Sequence, residues 1–234
     1  MSSRYKAESP VFILHRRDYT ESSRILSCFT REYGRVDILC KGCRRAGKSS
    51  KVLEPFRRYH LSWSGKSELK TLVHVDEDKI FNIQNDAHRL YCGIYLNELL
   101  YGLLRAADVD VDLFDLYEKT LANLAEDGGP SIQDTLRYFE LNMLHQMGYG
   151  ITLEYEHDNE TPISPDAHYV FQPEQGFFRT ENEQQCLVRG DSILALNEGQ
   201  LTTARQEREA RSLTRLLIGY YLPDTKIQSR KLFI

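Results

Sequence analysis

The chain lacks most of what marks a membrane protein or an enzyme. No apolar run in its 234 residues approaches the ~18 needed to cross a bilayer. The opening MSSRYKAESPVFILH holds one short apolar stretch beginning at Pro10, which is not the form of a secretory signal. The patterns G-x-S-x-G, H-E-x-x-H and G-x-G-x-x-G are missing, so no nucleophile elbow, zinc-protease helix or dinucleotide loop is expected. Cysteine is sparse: Cys28, Cys40, Cys43, Cys92 and Cys186 form an odd, scattered set, read as reduced thiols and not as a disulfide framework. Cys40 and Cys43 make the one C-x-x-C pair. Four ligands would be needed for structural zinc, and a helix N-terminus for a low-pKa redox thiol, and the pair has neither. There is no internal repeat or low-complexity tract.

What the chain does have is an uneven distribution of charge. The net charge is −4, yet residues 1–80 carry 17 Lys and Arg against 10 Asp and Glu, while residues 81–234 carry 13 against 24. Between Lys41 and Arg58 lie seven cations, Lys41, Arg44, Arg45, Lys48, Lys51, Arg57 and Arg58, and a single acid, Glu54. A loop cannot bury so many like charges without partners. The expected partner is a polyanion.

Part of that run, GCRRAGKS (42–49), satisfies G-x-x-x-x-G-K-[ST], the signature of a phosphate-binding loop. Such a loop needs a helix after it, whose N-terminal amides face the phosphates. The residues that follow, SKVLEPFRRY, carry no apolar helical period, and Pro55 would cost such a helix ~3 kcal/mol. Nucleotide hydrolysis is therefore not expected, no catalytic residue is assigned, and no cofactor is called for.

The fold class read from these patterns is α+β. Five short runs rich in β-branched and aromatic residues, 11–16, 24–30, 34–41, 57–63 and 68–75, suggest a small closed barrel over residues 1–80. From residue 81 to 234 the apolar period becomes helical. Helices are predicted over 85–106, 112–126 and 131–148, the last with Ser131 as N-cap and Gly148 as its stop, and again in 191–199 and 202–222, where Thr203 and Gln206 fit a capping box. An insert at about 150–190 contains HYVFQ and GFFRT, a candidate hairpin. Aromatic side chains beside a cationic loop can stack bases while Lys and Arg follow the phosphates. Among Phe29, Tyr33, Phe56, Tyr59 and Trp63, the last is expected in the core, and Phe56 is the candidate for an exposed stacking residue.

The segment VFILHRRDYTESSRILSCFTREYGRVDILCKGCRR resembles the opening of the RecO family of bacterial recombination mediators. So do LEPFRRYHLSWSGKSELKTL, LYCGIYLNELLYGLL, LRYFELNMLHQMGYG and YYLPDTKIQSRKLF, in order, over nearly the whole chain. The resemblance implies an N-terminal OB-fold, a helical C-terminal domain, and a non-enzymatic cytoplasmic protein associated with the nucleoid during repair. It also implies binding of single- and double-stranded DNA, annealing of complementary strands, and partnership with RecR and the C-terminal tail of single-stranded-DNA-binding protein in loading RecA. By position, Arg17, Arg35, Lys41, Arg44, Arg45, Lys48 and Lys51 would form the DNA surface, with Arg57 beside them. Arg137 would lie near the pocket for the acidic tail, or would form an i,i+3 ion pair with Glu140. Some relatives carry a four-cysteine zinc site in the insert; here residues 150–190 hold only Cys186, so a metal-free insert is expected. The rival reading is a protein-interaction adaptor whose basic loop binds an acidic partner instead of DNA.

Overall fold

A computed structural model describes residues 6–43, 53–223, 225, 227–229 and 231. The chain divides into two compact units, Met1–Ala125 with Thr225–Ile234, and Glu126–Asp224.

The first unit is built on a five-stranded closed barrel. Strands β1 (Lys6–Asp18), β2 (Arg24–Thr30), β3 (Gly34–Cys40), β4 (Arg57–Ser64) and β5 (Lys70–Ile80) run in the order β1-β2-β3-β5-β4. β1 is long enough to pair with β4 through Lys6–Phe12 and with β2 through Val11–Asp18. Closure comes from a short parallel contact in which Ile38 and Leu39 face Lys70 and Thr71. Alternation sends Val11, Ile13, Leu26, Cys28, Ile38, Tyr59, Leu61 and Trp63 into the barrel. This is the OB-fold architecture.

The opposite face of β1 and β2 is equally apolar over part of its length, and two helices cover it. Phe12 lies against Phe114 and Tyr117 with ring centroids 5.0 and 4.9 Å apart, and Phe29 meets Phe114 at 5.2 Å. Phe114 and Tyr117 belong to α2 (Val111–Ala125). Helix α1 (Ala87–Leu103) is capped by Asp86, which accepts from the Arg89 amide. Its Asn97 is buried, donating to Leu14 O at 3.3 Å and accepting from the Tyr117 hydroxyl. That polar link is satisfied at both ends, as a buried amide must be.

The second unit contains α3 (Ile132–Gln146), α4 (Gly190–Glu198), α5 (Ala204–Tyr221) and a three-stranded sheet ordered β7-β6-β8. Its strands are β6 (His168–Gln172), β7 (Gly176–Arg179) and β8 (Val188–Arg189), so HYVFQ and GFFRT do form a hairpin. Ser131 caps α3, and the Thr203–Gln206 capping box opens α5. α5 packs on α3 and α4 and buries Ala210, Leu213, Leu217 and Ile218.

Candidate nucleic-acid interface

A bulge in β1 decides where its charged end points. Pairing with β2 runs Phe12 to Phe29, shifts between Ile13 and His15, and resumes with His15 opposite Ser27 and Arg17 opposite Ile25. Ile25, Ser27 and Phe29 alternate on one face of β2, so the shift returns His15 and Arg17 to the outer face shared with Phe12. On β3, Arg35 is paired with Phe29 and so joins them. The outer face of β1–β2–β3 therefore carries an apolar bed for α2 at Phe12 and Phe29, flanked on β3 by Arg35, and beyond it His15 and Arg17 on β1, with Asp37 on β3 accepting from the Ser27 hydroxyl between them at 2.7 Å.

Tyr101 of α1 lies against His15 and Arg35 of this face. Its ring centroid is 5.2 Å from that of His15, at an interplanar angle of 35°, and the Arg35 guanidinium carbon lies 5.2 Å from the Tyr101 centroid. Arg35 Nη1 also donates to Tyr101 O at 2.9 Å, which fixes the guanidinium beside the ring. Arg17 and Lys41 are exposed and make no ion pair with another described residue. Arg44, Arg45, Lys48 and Lys51 lie outside the described residues.

Three sequence expectations are corrected by the structure. Arg57, assigned to the DNA surface, is held between Glu77 at 2.7 Å and Glu54 at 2.8 Å, so its charge is already neutralised. Its neighbour Arg58 is likewise paired, with Asp78 at 2.7 Å and Glu118 at 2.6 Å. The carboxylate partners on β5 sit across a strand pair some 20 residues on, and only the β4–β5 register reveals them. Phe56, expected to be an exposed stacking residue, is 3% exposed. Its ring packs on α1 at Gly93, where a Cβ would come within 2.7 Å of it. Cys40 and Cys43, read as free thiols, lie side by side with their sulfurs in contact and their Cα atoms 5.8 Å apart, while Cys28, Cys92 and Cys186 are free.

In the second unit, Arg137 and Glu140 form the i,i+3 pair, with Nε–Oε2 at 2.6 Å and Nη2–Oε1 at 2.7 Å. Both are almost fully buried, where a two-pronged, hydrogen-bonded geometry is needed to offset the loss of hydration. Arg137 also helps line a cavity of about 310 Å³ together with Tyr138, Leu141, His145, Ile151 and Leu196. Tyr138 at its edge is 44% exposed. Among the described residues no cluster of three or more His, Cys, Asp or Glu is arranged to hold a metal, and no helix is long and apolar enough to cross a membrane.

A closed five-stranded barrel followed by helices and a small second sheet defines the class of OB-fold proteins with a helical C-terminal region. The chain belongs to the RecO family: the family model "Recombination protein O N terminal" matches residues 1–77 and "Recombination protein O C terminal" matches residues 84–231. It is 35% identical to a protein of Dechloromonas aromatica over all of this chain and 98% of that one. It is 37% identical to one of Methylococcus capsulatus, with 95% and 90% covered, and 35% identical to one of Vibrio cholerae, with 95% and 91% covered. All three relatives are named DNA repair protein RecO.

Proposed function

We propose that this chain is a DNA repair and recombination mediator that binds single- and double-stranded DNA without sequence preference, anneals complementary strands, and acts with RecR to load RecA. The observation that carries the reading is the contrast between cations. Arg57 and Arg58 are consumed by carboxylates, whereas Arg17 and Lys41 stand exposed at the ends of β1 and β3 with no carboxylate partner among the described residues. Arg17, Arg35 and Lys41, continued by Arg44, Arg45, Lys48 and Lys51, would follow a phosphate backbone, and Arg57 is withdrawn from the set. Neutralising phosphates releases counterions, so affinity falls with salt by about 0.7 log units per log unit of salt for each single-strand phosphate contacted.

The test is fluorescence anisotropy with mixed-sequence oligonucleotides over a salt series. Arg17→Glu with Lys41→Glu lowers affinity severalfold at low salt and flattens the salt slope, with the thermal midpoint unchanged. Indifference of the wild type to every oligonucleotide refutes the reading and favours an adaptor for an acidic protein.

The cavity beside Arg137 supports a second element of the same proposal, reception of the acidic, apolar-ended tail of single-stranded-DNA-binding protein. Leu141, Ile151 and Leu196 offer apolar walls to such a tail. Because Arg137 is already bound to Glu140, it would serve mainly to shape that cavity rather than to meet the tail carboxylate directly.

A further inference from the structure

Beside the His15–Tyr101–Arg35 cluster the first unit has a cavity of about 560 Å³. Its volume falls within the roughly 300–1,000 Å³ typical of pockets that enclose small organic ligands. Leu14, Leu90, Ile94 and Phe56 give it apolar walls, and His15 and Tyr101 stand among its lining residues. We infer that this cavity is a nucleobase slot, in which one base of a bound single strand stacks on the His15–Tyr101 pair while Arg17 and Arg35 hold the adjoining phosphates. The inference rests on the DNA-binding reading above and adds to it a place where the bases, and not only the backbone, are held.

Three features favour a base over another occupant. First, Tyr101 is 40% exposed at the C-terminal end of α1, just past the buried Leu99 and Leu100, and its ring is already ordered by His15 and Arg35, so little side-chain entropy is lost on stacking. Second, the carboxylates at the cavity are engaged. Glu54 binds Arg57 at 2.8 Å, and Glu98 accepts from Ser229 N at 2.9 Å and Oγ at 2.6 Å. Arg16 lines the same cavity and Arg35 lies against Tyr101, which supplies the cations that a polyanion requires. Third, the β1 bulge turns His15 and Arg17 outward together, which sets a stacking ring and a phosphate-binding cation two residues apart on one strand.

Stacking and ion pairing respond differently to solvent, and the test uses that difference. A labelled twenty-residue thymidine oligonucleotide and an abasic strand of the same length present the same phosphates, and only the first has bases. Wild-type protein binds the thymidine strand more tightly. Tyr101→Ala and His15→Ala each weaken that binding about tenfold, leave binding of the abasic strand unchanged, and do not alter the salt slope; Tyr101→Phe behaves as wild type. Tyr101→Trp introduces a ring whose emission is quenched by the thymidine strand and not by the abasic one. Equal losses on both strands would mean that Tyr101 only positions Arg35, and no loss on either would mean that the slot is unused; both overturn the inference while DNA binding stands. A wild-type protein that binds neither strand overturns DNA binding itself, and the slot with it.

Discussion

Asp158 shows how one exposed side chain can organise a turn. Its carboxylate accepts from the Thr161 hydroxyl at 2.6 Å, the Thr161 amide at 2.8 Å and the Glu160 amide at 3.0 Å. These bonds, the Thr161 hydroxyl foremost, favour the ionised form and hold its pKa at about 2, below the ordinary 3.8. A group whose pKa is depressed by folding contributes stability above its unfolded pKa and loses it as pH falls through the folded value. The contribution of this turn is therefore intact at pH 5 and disappears between about pH 4 and pH 2. NMR titration should place the Asp158 carboxyl midpoint near 2, and Thr161→Val should return it toward 3.8. A midpoint that stays put in the variant would show that the hydroxyl is not the main cause.

At the scale of elements, the start of β3 depends on a residue without a side chain. Gly34 has φ +64°, and a Cβ there would lie 2.2 Å from Asp108 O and 2.7 Å from Asp108 N. The segment after α1 crosses β3 at this point, where Ala106 bridges to Gly34 and Arg35. Gly34→Ala is expected to cost at least the ~1–2 kcal/mol of a left-handed backbone, plus the displacement of residues 106–108. Urea denaturation should show a lower midpoint with an unchanged slope. An unshifted midpoint would mean that this crossing yields at no cost.

The strands and helices were legible because each carries its own period: Tyr59, Leu61 and Trp63 alternate, and the leucines of α1 recur at helical spacing. The site was legible as a set of charges but not as a set of free charges. Arg57 and Arg17 look alike in one dimension, and only the pairing of β4 with β5 shows that Glu77 neutralises the first. The β1 bulge has no glycine or proline to announce it, and without it the outward aim of His15 does not follow. Tyr101 is not marked out in the sequence for a related reason. On α1 it falls within a leucine-rich stripe, and its exposure depends on where that helix lies on the barrel.

On the scale of the whole molecule, the cationic bias of residues 1–80 and the acidic bias of residues 81–234 divide the labour of the proposed mediator. Shielding the phosphates of two strands at once lowers their repulsion, which is what annealing requires, whereas an acidic remainder does not attract the backbone. Complementary oligonucleotides coated with single-stranded-DNA-binding protein should be annealed faster in the presence of this chain, and the gain should be lost when the coat lacks its tail. Acceleration that ignores the tail would exclude the cavity beside Arg137 as its receptor.

The single tryptophan of the sequence, Trp63, is sealed inside the barrel at 1% exposure, edge-on to Tyr33 with ring centroids 5.4 Å apart. Tryptophan emission therefore originates from the interior of the first unit alone. It is placed to signal when that barrel opens, and it is shielded from ligands arriving at His15, Arg17 and Arg35 on the outer face.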